Sequence, residues 1–235
     1  MYKVRRVITS RCGGVSRPPY DELNLADHAG DDPAAVAANR ARLVRELGVP
    51  ADQLVWMSQA HGAKVHTVAV PPPGPVAATD ALVTGMPGVV LCVLVADCVP
   101  VLLADRRAGV VAAAHAGRAG AAAGIIPRTL AVMRLLGADP TRTEALLGPA
   151  VCGRCYEVPA SLQAEVERAL PGSAIPTRWG SPGLDLRGGI ARQLAAAGLG
   201  HIAYDPRCTV EDPDLYSFRR DGTTGRQAGI TWLAP

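Results

Sequence analysis

Residues 89–124, VVLCVLVADCVPVLLADRRAGVVAAAHAGRAGAAAG, decide the fold. An apolar run breaks at Asp97-Cys98, resumes, turns at 106–109 and runs again to His115, where a glycine- and alanine-rich helix entry begins. Unbroken apolar runs of strand length, bounded by turn residues, suit strands covered on both faces. Each break leaves a metal-ligating side chain at a strand end, Cys98 or His115. Upstream, Gln59-Ala60-His61-Gly62 offers a third.

Working outward, the best-signalled helix starts at Asp32 (a natural N-cap) and Pro33, and stops at Gly48 and Pro50. Strands are expected at 3–9, 54–57, 64–70, 80–84, 144–147 and 229–233. Further helices are expected at 125–136, 158–170 and 185–197, with Pro127 in a first turn because an interior proline costs about 3 kcal/mol. The tail from 202 to 228 reads as irregular. Strands and helices mix without strict alternation, which favours a layered α+β fold over a doubly wound sheet.

Residues 1–235 carry no linker or repeat and read as one domain, long enough to bury a sizeable core. A formal net charge of +3, with no basic run, argues against a nucleic-acid partner. Asp97 and Pro100 interrupt the longest apolar runs, so no membrane span is expected. The N-terminal residues lack the apolar core of a signal peptide. Six cysteines in such a chain read as thiols or ligands, and the expected compartment is the cytoplasm.

His61, Cys98 and His115 are the candidate metal ligands. Two imidazoles and one thiolate leave a coordination position open on zinc, where bound water acidifies to a pKa of about 7. The same trio with a distant axial group describes blue copper, so the donors alone leave the metal open. Cys152-Gly153-Arg154-Cys155 reads as two thiols in a turn, since no second CxxC completes a zinc ribbon. Arg220, beside Gly222 and Gly225, is the candidate phosphate ligand, and Asp97 the candidate proton carrier.

Seven segments carry a further signal in their order: SRCGGVSRPPYDELNLADHAGDDPAAVAANR, SQAHGAKV, TDALVT, VADCVPVLLAD, AAAHAGRAGAAAG, GPAVCGRCYEV and CTVEDPDLYSFRRDGTTGR. Together they resemble the YfiH-like laccase-domain family, also called the polyphenol oxidase family and now viewed as purine nucleoside phosphorylases. The resemblance implies a single-domain αββα sandwich with mixed sheets. It implies zinc on His61, Cys98 and His115, and a monomer or homodimer. It also implies phosphorolysis of adenosine, inosine and methylthioadenosine, with adenosine deamination, so the partners are a purine nucleoside and phosphate. Arg11, Ser16, Asn24, His28, Arg118 and Arg226 fall in its motifs as substrate-binding candidates. The family's usual His-Ala-Gly-Trp-Arg-Gly reads His115-Ala116-Gly117-Arg118-Ala119-Gly120 here. The rival readings are a copper-dependent phenol oxidoreductase, a non-catalytic binding module, and a cysteine hydrolase using Cys98, with a link to peptidoglycan editing.

Overall fold

A computed structural model describes residues 1–234 of the chain. In chain order the elements are β1 (Lys3–Ile8), α1 (Pro33–Leu47), β2 (Leu54–Val55), β3 (Val65–Thr67), β4 (Ala81–Thr84), β5 (Val90–Val95), β6 (Val99–Asp105) and β7 (Val110–Ala116). Then follow α2 (Arg118–Ala122), α3 (Ile125–Leu135), β8 (Glu144–Leu147), α4 (Ala160–Ala169), β9 (Ala174–Pro176) and β10 (Pro182–Leu184). The chain closes with α5 (Leu186–Ala196), β11 (His201–Tyr204), α6 (Phe218–Asp221) and β12 (Gln227–Ala234).

Two mixed sheets face each other. One has the order β1-β12-β5-β2, the other β11-β8-β6-β7-β4-β3. Side chains alternate across each strand, so each sheet feeds two layers. Leu82, Leu102, Val111 and Ala113 point inward to meet Leu91, Val93, Val95 and Leu233 between the sheets. Their neighbours Val83, Val101, Leu103 and Ala112 point outward to Ile126, Leu130 and Met133 of α3 and Ile190 and Leu194 of α5. On the opposite flank, Val90, Cys92, Leu94 and Ile230 pack against Leu43 and Leu47 of α1. The fold is a single-domain α+β sandwich of αββα layers. Cover on both faces explains why β5, β6 and β7 are buried along their whole lengths and read as unbroken apolar runs.

The helix starts follow their capping chemistry. Asp32 accepts the Ala34 N–H, and Gly48 closes α1 at φ 65°. Pro127 does lie in the first turn of α3; Gly124, at φ 84°, separates that helix from the short α2. Other expectations give way. The strand at 54–57 stops at Val55, and Met57 makes only an isolated bridge to Val76. The strand at 64–70 shrinks to Val65–Thr67. The tail is less irregular than its polarity implies. β11 pairs in parallel with β8 at a sheet edge, where an exposed strand needs no apolar alternation. The short hairpin β9–β10 contains two prolines and escapes sequence patterning.

Candidate metal centre

Three chain segments meet where β5 and β7 end and β6 begins. His61 lies on the loop after β2, Cys98 on the tight turn between β5 and β6, and His115 near the end of β7, opposite Pro100 of β6. Their ligand atoms all fall within 4.8 Å of one another. The two imidazole rings meet edge-on with centroids 4.7 Å apart. His115 is buried, Cys98 half-buried and His61 exposed, so the group opens to solvent on one side.

Asp80, at the foot of β4, organises this group. Its carboxylate accepts the backbone N–H groups of Ala60, His61 and Gly62 at 3.2, 2.9 and 2.8 Å. It also meets His115 Nδ1 at 2.9 Å, and its backbone carbonyl accepts the His115 N–H at 2.7 Å. These bonds hold His61 at φ 56°, a left-handed conformation rare outside glycine. Gln59 fastens the same loop by trading two hydrogen bonds of 2.8 Å with the Leu94 backbone of β5. With Nδ1 turned to Asp80, His115 has its Nε2 left for a ligand, the carboxylate–imidazole pairing common behind metal-bound histidines.

The electrostatics follow from these contacts. Burial alone would raise the Cys98 thiol, but hydrogen bonds and charge from His115 and His61 outweigh it and bring the thiol down to about 6. Burial alone would lower His115, but Asp80 and Cys98 raise it to about 9. The lowered thiol and the raised ring together favour a Cys98 thiolate beside a protonated His115, and thiolate is the form in which sulfur binds metals. Gly117 makes room for it. A Cβ there would stand 2.9 Å from Cys98 Sγ and 3.0 Å from His61 Cδ2.

Asp97, at φ 96°, aims Cys98. Its carboxylate accepts Thr209 Oγ1 at 2.6 Å, Ser217 Oγ at 2.7 Å and the Arg219 N–H at 2.6 Å. Three donors make it a fixed acceptor that shapes the turn, not a free proton carrier. Arg220 is committed as well. Its guanidinium donates to the carbonyls of Thr209, Asp212 and Leu215 and pairs twice with Asp221, which uses every N–H it has. Ser16 and Asn24 are buried in a polar knot with Asp31 and Asn39, while His28 is exposed beside Asp27. Arg11 holds Asp21 and lies 5.1 Å over the Tyr216 ring.

Arg226 and Arg118 do belong to the surroundings of Cys98. Arg226 feels the charges of Asp97 and Cys98, although burial leaves its pKa lowered. The Arg118 charge acts on the Tyr156 phenol, whose ring lies 5.0 Å under the Arg219 guanidinium. Asp80, Tyr156 and the Thr209–Ser217 pair were not singled out from the sequence. Asp80 had a signal, a carboxylate at the threshold of the largely apolar run Ala81-Leu82-Val83.

A second group of donors stands behind Asp97. Cys152, Cys155, Cys208 and Glu211 also bring their ligand atoms within 4.8 Å of one another. The CxxC is thus more than two thiols in a turn. Its partner Cys208 is too distant along the chain for any spacing rule to find.

A family described as "Multi-copper polyphenol oxidoreductase laccase" matches residues 5–234. The chain is 57% identical over 231 residues to purine nucleoside phosphorylase Rv2149c of Mycobacterium tuberculosis strain H37Rv, covering 98% of this chain and 92% of that one. It is 53% identical over 226 residues to a purine nucleoside phosphorylase of Streptomyces coelicolor, covering 96% and 93%. Among solved structures, YlmD from Geobacillus stearothermophilus superposes with a TM-score of 0.93 at 32% identity, covering 99% of this chain and 92% of that one. Neisseria meningitidis NMB0706 superposes with a TM-score of 0.89 at 35% identity, covering 99% and 95%.

These relatives and the donor groups make the chain an enzyme with metal-ligating capacity. The expectation of a zinc-dependent purine nucleoside phosphorylase with adenosine deaminase activity is corrected here. The matching family description spans nearly the whole chain and names copper and phenols. A pocket for one zinc also leaves the thiol-rich second group without a role, and its soft donors suit copper.

Proposed function

Since the chain belongs to the multi-copper polyphenol oxidoreductase laccase family, we propose that it is a copper-dependent oxidoreductase acting on small phenols, with His61, Cys98 and His115 as the metal ligands. The observation that carries this reading is the donor set, two imidazoles and one thiolate converging on a half-buried point. That trio is the one blue-copper centres use. Copper, when bound, supplies one-electron chemistry.

The chain's own residues do the rest. Asp80 orients His115 and locks the loop that carries His61. The two histidines keep Cys98 deprotonated without an external base. Tyr156, framed by Arg118 and Arg219, gives a phenol ring a flat neighbour and gives a phenolate oxygen positive charge. Four phenols each give up one electron and one proton, and one dioxygen accepts all of these and leaves as two waters. No helix is long and apolar enough to cross a membrane. The six free thiols support a reducing, cytoplasmic setting.

The printed names of the relatives favour a second reading, phosphorolysis of a purine nucleoside in the same cleft, with phosphate beside Arg118 or Arg226 and no electron transfer. One experiment separates the two. Copper-loaded protein is given catechol, and separately inosine with phosphate, while oxygen uptake and base release are followed. Oxygen uptake that a chelator and Cys98→Ser both abolish is the expected result. Base release without oxygen uptake from fully loaded protein overturns the phenol reading in favour of the second.

A further inference from the structure

The thiol-rich group has a structural relation to the pocket that neither reading uses. Cys152 and Cys155 sit on one turn, closed by the Cys155 and Tyr156 N–H groups bonding the Cys152 carbonyl at 2.9 and 3.0 Å. Cys208 reaches them from the tail, where Sγ accepts the Cys152 N–H at 3.3 Å and Ala150 bridges to Cys208. Both segments end on the same residue. The Val151 N–H donates to the Asp97 carbonyl at 3.0 Å, and Thr209 Oγ1 to the Asp97 carboxylate at 2.6 Å. Asp97 in turn sets the turn that presents Cys98.

We infer that Cys152, Cys155 and Cys208 form a second cation site, for monovalent copper, which clamps the 150–156 loop to the tail and so braces Asp97 behind the His61–Cys98–His115 pocket. Simple packing would explain three clustered thiols, two of them buried, because a free cysteine behaves as a small hydrophobe. It does not explain the charges gathered around them. The Arg178 guanidinium lies against Cys155 Sγ and pairs with Glu211 at 2.9 Å, so a positive charge already stands beside the sulfurs. Arg178 is a third exposed on a long side chain and can swing out, taking Glu211 with it.

The donor count selects the ion. Three sulfurs satisfy monovalent copper, a soft cation content with three ligands. Zinc in a closed site takes four, and its fourth would have to be Glu211, which is exposed and already paired.

The inference does not depend on the reaction in the pocket and is tested with that pocket disabled. Full-length Cys98→Ser protein is titrated with monovalent copper against a chromogenic chelator. It is expected to retain one ion, to shield Cys152 and Cys155 from alkylation when loaded, and to melt a few degrees higher than when copper-free. Adding Cys208→Ser should weaken copper binding at least tenfold and remove the shielding and the melting shift. Where that variant folds poorly by circular dichroism, Cys152→Ser in the same background serves instead. Equal copper affinity with and without these substitutions overturns the site. Tight zinc binding that Glu211→Gln abolishes, with no copper retained, overturns the choice of ion.

Discussion

The Asp80 carboxylate and the His115 ring stand 2.9 Å apart, and neither residue is more than 2% exposed. This contact joins two elements distant in sequence, the start of β4 and the end of β7, and Asp80 extends it to His61 through the loop N–H groups. A carboxylate behind a ligating imidazole raises ligand basicity and fixes the ring.

Asp80→Asn should therefore weaken metal binding by roughly 10–100-fold. It keeps one acceptor oxygen but loses the charge, so the buried N–H groups stay partly satisfied and the chain should still fold. Competition against a chelator of known affinity measures this. Unchanged affinity would show that Asp80 shapes the loop without tuning the ligands.

Gly117→Ala tests the space around Cys98. The backbone conformation at Gly117 suits alanine, with φ −73°. Only the close approach of its Cβ to Cys98 Sγ and His61 Cδ2 stands in the way. Overpacking of this kind costs about 1–3 kcal/mol, which falls here on the ligand geometry. Metal content should drop sharply while the urea midpoint moves little. Full metal occupancy in this variant would mean that the ligand cluster yields to the added methyl.

Asp97→Gly sets two effects in opposition. Glycine relieves a left-handed φ of 96°, worth about 1–3 kcal/mol. It also strips the buried Thr209 and Ser217 hydroxyls of their acceptor, each worth about 1–3 kcal/mol when left unsatisfied, while the exposed Arg219 N–H turns to water. Two buried losses exceed one gain, so the variant should be less stable than wild type by urea denaturation. Asp97→Asn, which keeps an acceptor, should lie between them. A stabilised glycine variant would show that strain outweighs the hydrogen bonds.

Asp105, buried at the end of β6, predicts a pH dependence. Burial raises its pKa, but the N–H groups of Ala108, Asp139 and Arg107, together with Arg142, outweigh burial and hold it below the usual carboxylate range. A depressed folded-state pKa adds stability that is fully present above the unfolded value, about 3.9, and is lost as pH falls through the folded value. Unfolding free energy should therefore fall as acid is added below about pH 4. Asp105→Asn should be less stable at neutral pH and show a shallower acid slope. Identical slopes in urea titrations at a series of pH values would remove Asp105 from the acid transition.

Much of the molecule was legible in the chain. The apolar runs of β5, β6 and β7 revealed strands covered on both faces, because such strands have no solvated side to alternate toward. Asp32, Pro33 and Gly48 marked α1 through local capping chemistry. His61, Cys98 and His115 stood out because each closes an apolar run beside small residues and their side chains form a matching ligand set.

Tertiary structure alone decided the rest. β9, β10 and β11 are set by neighbours across space, so their short, proline-containing or exposed segments carry no periodic signal. Arg220 looked free beside two glycines, yet carbonyls of its own tail consume its donors. Cys208 joins Cys152 and Cys155 through a bridge between distant segments, and Asp80 reaches His61 and His115 only once β4 lies beside β7. Sequence fixes which side chains are able to bind, whereas distance and competition for hydrogen bonds, which exist only in the folded chain, determine which of them remain free to do so.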